Sequence, residues 1–143
     1  MRAVDSNVLV YAFSSESKFH DQASTAITEL ASGKALWAIP WACIHEFYST
    51  VTHRALFPHP DRSAQARAQI AEWMRSPSLK LLSESREHWH TLERLITSAG
   101  ITGPMIHDAK IAAICLDHGV TELLTFDRDF ARFPDLKVRS IRD

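Results

Sequence analysis

Short apolar runs alternate with helix-period segments along this whole chain, and that alternation constrains the fold more than any other feature. Five runs read as strands: Arg2–Val4, 35–39, Leu79–Leu82, Glu122–Thr125 and 137–141. Ser6–Phe13 reads as a short helix or turn. Ala23, Ala26, Ile27, Leu30 and Ala31 recur at i, i+3, i+4, i+7 and i+8, and Gly33 stands where a helix C-terminus favours glycine. Pro40 opens a helix over 41–54. Ala66, Ile70, Trp73 and Met74 share one face over 61–75, and Trp89, Leu92, Leu95 and Ile96 share one over 85–99. A further helix over 107–118 stops at Gly119. Strands separated by helices imply an α/β fold, here a five-stranded, mainly parallel sheet flanked by helices on both faces.

The chain's 143 residues suit one domain, 1–143, with a core that needs no disulfide or structural metal. The densest break, Phe57-Pro58-His59-Pro60-Asp61, reads as a loop inside that domain. Cys43 and Cys115 are the only cysteines, too few for a disulfide framework, and both read as small core residues. Asp5 interrupts the N-terminal apolar stretch, so no signal peptide is expected. The longest apolar run, 36–44, is broken by Pro40 and falls short of the roughly 18 residues of a membrane span. A soluble cytoplasmic protein without membrane contact is expected.

Ligands of open α/β sheets bind outside the carboxyl ends of the strands. Asp5 directly follows the first strand there, and Asp127 and Asp129 follow the fourth. Asp108 opens the last helix at the head of its apolar stripe, with Ile111, Ala112 and Cys115 at i+3, i+4 and i+7. A carboxylate on such a face is costly unless paired or metal-bound. Converging carboxylates repel one another, so some protonate or a cation neutralises them. Hard divalent cations prefer oxygen ligands, and carboxylates holding one or two of them suit phosphodiester hydrolysis.

At these residues the sequence resembles PIN domains, and most closely VapC-type toxin ribonucleases. The resemblance runs from Val4 to Ile141. Val-Asp-Ser-Asn-Val-Leu-Val-Tyr at the start is similar to the family's opening motif. Ile-His-Glu-Phe at 44–47 resembles its glutamate-bearing helix. His107-Asp108-Ala109 through Ala113 resembles the segment of its second aspartate, and Leu-Leu-Thr-Phe-Asp-Arg-Asp-Phe its T-x-D-x-D-F signature. The resemblance implies that Asp5, Glu46, Asp108 and Asp127 are catalytic, metal-binding acids, with Asp129 an accessory ligand. It gives Asn7 and Thr125 supporting roles. It implies one or two Mg²⁺ or Mn²⁺ ions, an RNA substrate cut in line by water to leave 5′-phosphate and 3′-hydroxyl ends, a VapB-like antitoxin partner and a homodimer. Periodicity alone places Glu46 opposite the stripe Ile44, Phe47, Tyr48 and Val51, so its assignment comes only from the resemblance.

The net charge of −1 conceals a local balance that suits RNA. Of 17 acids, five belong to the proposed site; the other 12 face 16 Lys and Arg, leaving +4. Arg54, Lys110, Arg128 and Arg132 lie near the motifs and are candidate phosphate contacts. The Trp-, Phe- and Met-bearing helices at 41–54 and 61–74 offer a candidate groove for the antitoxin.

Other chemistries fit less well. His45-Glu46-Phe47-Tyr48-Ser49 lacks the last histidine of H-E-x-x-H, and neither G-x-S-x-G nor a phosphate-cradling G-x-x-x-x-G-K motif is present. His107-Asp108 resembles the HD phosphohydrolases, but their scaffold is all-helical. A haloacid-dehalogenase-like phosphatase would carry its second acid at position 7, where this chain has Asn7. A catalytically silent PIN-fold module binding RNA or protein is the alternative from another class.

Overall fold

The computed structural model describes residues 1–141. Its elements run β1 (Arg2–Val4), α1 (Ser6–Phe13), α2 (His20–Ser32), β2 (Trp37–Pro40), α3 (Trp41–Val51), α4 (Arg62–Met74), β3 (Leu79–Leu82), α5 (His88–Ala99), α6 (Ile106–Asp117), β4 (Glu122–Thr125) and β5 (Val138–Ser140). Two 3₁₀ turns, Gly103–Met105 and Arg128–Arg132, precede α6 and follow β4.

Every strand pairing is parallel, in the order β3-β2-β1-β4-β5. The register sets Ala3 between Ala38 and Leu123, and Val4 beside Leu124. Such a sheet is covered on both faces, which is why β2 is buried along its whole length and Ala3 and Val4 are fully enclosed. The chain steps outward from β1 to β2 to β3, then returns across β1 to β4. With right-handed crossovers, the outward steps place α1–α4 on one face and the return places α5 and α6 on the other. The packing agrees: α1 touches α2 and α3, α3 touches α4, and α5 touches α6. The strand order reverses between β1 and β4, and a crevice at their carboxyl ends follows from that reversal.

Phe47 is fully buried between Phe13 and Trp73, with ring centroids 5.4 and 4.9 Å away. Truncating such a side chain to Ala costs about 3–5 kcal/mol. Phe130 and Phe133 play the same part beneath the segment after β4.

Several boundaries and faces differ from the sequence reading. The second strand starts at Trp37, leaving Leu36 about half exposed, and β5 is shorter than 137–141. Helix α3 ends at Val51 rather than 54. Tyr48 is not on its buried face: its hydroxyl reaches Ser63 Oγ at 2.9 Å, and Cys43 fills the core position instead. Met74 and Trp89 are also exposed. On α5 the buried face is Thr91, Leu92 and Leu95, because the Thr91 hydroxyl donates to Asp117 Oδ1 at 2.6 Å and so enters the interior satisfied. Gly33 ends α2 in an extended conformation rather than the left-handed one. A Cβ there would come within 3.2 Å of the Glu29 carbonyl oxygen.

Candidate active site

Asp5 stands at the reversal point, as the N-cap of α1. Its carboxylate is almost fully enclosed and densely hydrogen-bonded. Oδ1 accepts the Ser6 amide at 2.7 Å, and Oδ2 accepts the Thr125 hydroxyl at 2.8 Å and the Asn7 amide nitrogen at 3.3 Å. The Cys43 thiol lies 3.8 Å behind Oδ1. Capping follows from the local sequence, because an aspartate ahead of a helix satisfies its orphan amides. Burial pushes the Asp5 pKa up to about 6. That value already includes the lowering by the Thr125 and Ser6 hydrogen bonds and the raising by the charges of Glu46 and Asp108.

Thr125 and Asn7 join β4 to α1. Thr125 Oγ1 also accepts the Asp127 amide at 2.9 Å and the Asn7 side-chain amide at 3.2 Å, while Asn7 Oδ1 accepts the Phe126 amide at 3.1 Å. The β4 end is thereby fixed against the β1 end. Asp127 in turn caps the 3₁₀ turn that follows, accepting the Asp129 amide at 2.8 Å.

Across the crevice, the first turn of α6 presents Asp108. One carboxylate oxygen from each of Asp108, Asp127 and Asp129 lies within 4.8 Å of the others. Asp108 and Asp127 are half-buried and Asp129 is exposed. Burial first, then the charges of Asp127, Asp129 and Glu46, raise the Asp108 pKa to about 6, with Arg132 offsetting part of this. Arg132 is tied to Asp129, with Nε donating to its backbone carbonyl at 3.1 Å and NH2 3.8 Å from its carboxylate.

The structure therefore brings Asp108, Asp127 and Asp129 together, while Asp5 lies outside that trio, coupled by charge to Asp108 and Glu46. Glu46 is exposed on α3, as periodicity expects, yet its charge acts on both Asp5 and Asp108. It stands on the rim of the crevice, bordering a cavity of about 390 Å³ that it shares with Asn7, Tyr11, Leu56 and Phe57. Arg54 and Arg128 are exposed, and Lys110 lines a groove beside the acids. By sequence Cys43 reads only as a core residue. It is one, fully buried, but it also walls Asp5, and burial together with the Asp5 charge pushes its thiol well above the ordinary range. No sequence signal marks that contact, which depends on α3 crossing behind the β1 end.

The donor set is hard oxygen only, with three carboxylates converging and few positive groups among them, which fits a hard divalent cation.

The PIN domain family model matches residues 2–136. The chain belongs to the PIN domain family. It is 30% identical over 137 residues to Ribonuclease VapC37 of Mycobacterium tuberculosis, covering 96% of this chain and 94% of that one. It is likewise 30% identical over 139 residues to Ribonuclease VapC43 of the same species, covering 97% and 94%. Among solved structures, VapBC2 from Rickettsia felis, bound to a promoter DNA fragment, superposes with a TM-score of 0.72 at 19% identity, covering 97% of each chain. VapC20 of M. tuberculosis, a toxin that cleaves the sarcin–ricin loop, superposes with a TM-score of 0.66 at 18% identity, covering 92% and 93%. No helix among the described residues is long and apolar enough to cross a membrane.

Proposed function

We propose that this chain is a metal-dependent endoribonuclease and the toxin half of a toxin–antitoxin pair. The observation that carries the reading is the convergence of Asp108, Asp127 and Asp129, with the buried Asp5 at the strand-order reversal charge-coupled to Asp108. The relatives named as ribonucleases and the toxin–antitoxin neighbours support it.

In this reading Asp5, Glu46, Asp108, Asp127 and Asp129 hold one or two Mg²⁺ or Mn²⁺ ions. Such ions would neutralise the carboxylates, activate water and stabilise charge on the scissile phosphate. Thr125, Asn7 and Ser6 hold Asp5 in one orientation, so the site is organised before substrate arrives. Water adds to phosphorus in line, the bond to the 3′-oxygen breaks, and that oxygen takes up a proton, leaving 5′-phosphate and 3′-hydroxyl ends. Arg54, Lys110, Arg128 and Arg132 meet phosphates flanking the cut.

The partner is a VapB-like antitoxin. The cavity beside Glu46, walled by Tyr11, Leu56 and Phe57, is a place for an apolar antitoxin segment next to the acids. The toxin works in the cytoplasm as a homodimer of single-domain chains.

The test is incubation of total cellular RNA with purified protein, with Mn²⁺ or with EDTA, beside Asp5→Asn. Fragments with 5′-phosphate ends that disappear with EDTA and in Asp5→Asn are expected. Intact RNA in the presence of Mn²⁺ and folded protein would reject the reading and favour a binding module.

A further inference from the structure

A groove runs from Glu46 between α3 and α6, on the side away from Tyr11 and Phe57. Its first part, about 380 Å³, lies between Glu46 and His45 of α3 and His107 and Lys110 of α6. Its second part, about 490 Å³, continues past His45 and Lys110 to Trp41, with Ser83 and Glu84 after β3 on its far wall. Ala42, His45 and Lys110 border both parts, so the two adjoin. Each falls within the roughly 300–1,000 Å³ of small-ligand sites.

The groove walls carry a specific chemistry. Trp41 and His45, one helical turn apart, have ring centroids 6.2 Å apart and planes inclined by 33°. Trp41 is partly buried and packs against the core, while His45 is exposed. On the opposite wall His107, Lys110, Ile111 and Ile114 follow the i, i+3, i+4, i+7 spacing of one helix face. Lys110 forms no ion pair among the described residues. Flat rings on one wall and an unpaired ammonium on the other match a base and its phosphate, since nucleobases stack on aromatic faces and backbone phosphates pair with basic groups. Glu46 borders the groove, and His107 and Lys110 on its α6 wall flank Asp108 in sequence, so a strand lying here passes next to the acids.

We infer that the α3–α6 groove is a nucleotide subsite in which an unpaired RNA base stacks on Trp41 and His45 while Lys110 holds the adjoining phosphate. The inference rests on the ribonuclease reading and narrows its substrate to RNA that can present an unstacked base near the cut. A base inside a duplex has both faces covered by its neighbours and cannot enter. The subsite also gives Lys110, a candidate phosphate contact by sequence, a definite partner, and adds two residues, Trp41 and His45, to which the sequence assigns no RNA contact.

The experiment uses the full chain with single-stranded RNA oligonucleotides carrying 5-iodouridine at successive positions, irradiated with Mg²⁺ present and mapped by mass spectrometry. A matched duplex serves as control. Adducts on Trp41 or His45 from the single strand, and not from the duplex, are expected. Exposed His45 is the gentler site for substitution. His45→Ala and Trp41→Ala should each raise KM by about 10-fold, as expected for loss of a base–aromatic stack, with a far smaller change in kcat. Trp41→Phe should restore most of the loss. Removing the base from the RNA at the crosslinked position should have the same effect, without adding to that of Trp41→Ala.

Adducts only elsewhere, with KM unchanged in both variants while RNA is still cut, would overturn the subsite and leave the nuclease reading standing. RNA neither cut nor crosslinked would overturn both. A Trp41→Ala protein that turns from dimer to monomer with its RNA affinity unchanged would overturn the subsite in favour of an interface between copies.

Discussion

Asp5 and Asp108 both titrate near 6, yet their surroundings are opposite in kind. Asp5 is sealed at the end of β1 and meets a hydroxyl, a side-chain amide and a backbone amide on its two oxygens. Asp108 is half open on α6, with other carboxylates as its nearest charged neighbours and Arg132 as its main relief. One half of the crevice is a finished hydrogen-bonded joint between β1, α1 and β4. The other is a set of like charges that Arg132 compensates only in part. The joint fixes where the chemistry takes place, and the partly compensated half supplies the demand for a cation. A protein that satisfied both halves internally would have no affinity left for an ion.

The largest effect that separates the halves is on cleavage. Asp5→Asn and Asp108→Asn should each lower the rate of RNA cleavage by on the order of 10²–10³-fold, because both remove charge from the transition-state environment. Their thermal melts should diverge. Asp108→Asn relieves repulsion, whereas Asp5→Asn sets an NH₂ against the donors of Thr125 and Asn7. Equal melting temperatures would erase the distinction.

Cation binding comes next. Mn²⁺ at about 100-fold over its dissociation constant should stabilise the folded protein by about 2.7 kcal/mol, seen as a raised melting temperature. Asp108→Asn should abolish most of that shift. An undiminished shift in that variant would mean that the ion sits elsewhere.

Thr125→Val tests the joint alone. It strips the hydroxyl that serves Asp5 and leaves the Asp127 amide without its acceptor, and should cost about 1–3 kcal/mol in a denaturant titration. The same change should push the Asp5 pKa higher, because the Thr125 hydrogen bond lowers it.

The smallest effect is the pH dependence of the open half. Burial and like charge raise the folded pKa of Asp108 from 3.8 to about 6, so the folded state binds protons that the unfolded state has released. Stability of the metal-free protein therefore falls as pH rises through that window and levels off above it. Asp108→Asn should raise metal-free stability by no more than about 1 kcal/mol at pH 8, since water screens a half-exposed group. At pH 5, where the carboxyl is already mostly neutral, it should change little. Melts in EDTA across pH 4–8 would show this.

Much of this arrangement is legible in the chain. Asp5 and Asp127 follow strands, and a strand end in a parallel sheet is a place in space as well as in sequence. Asp108 is legible because a carboxylate heads an apolar stripe. Glu46 is not, since an exposed helix position gives no periodic signal; only the resemblance marks it, and its charge does act on Asp5 and Asp108. Tyr48 and Trp89 depart from their periodic stripes because several apolar residues compete for one buried arc, and the winner depends on what packs opposite. The close approach of Cys43 to Asp5, and the shared groove of Trp41, His45 and Lys110, also lie beyond any local pattern. Those groups sit on elements whose spacing is set by how α3 and α6 cross the sheet edge.

Periodicity, strand-end acids and turn residues are local properties, because a backbone conformation is chosen within a few residues and burial favours one face. By itself the sequence therefore determined an α/β chain with a parallel sheet and carboxylates at its carboxyl edge. The tertiary structure alone decided which of those carboxylates are held by hydrogen bonds and which are left facing one another. Hydrogen bonds and charge act over a few ångströms, and only the packed fold sets which groups come that close.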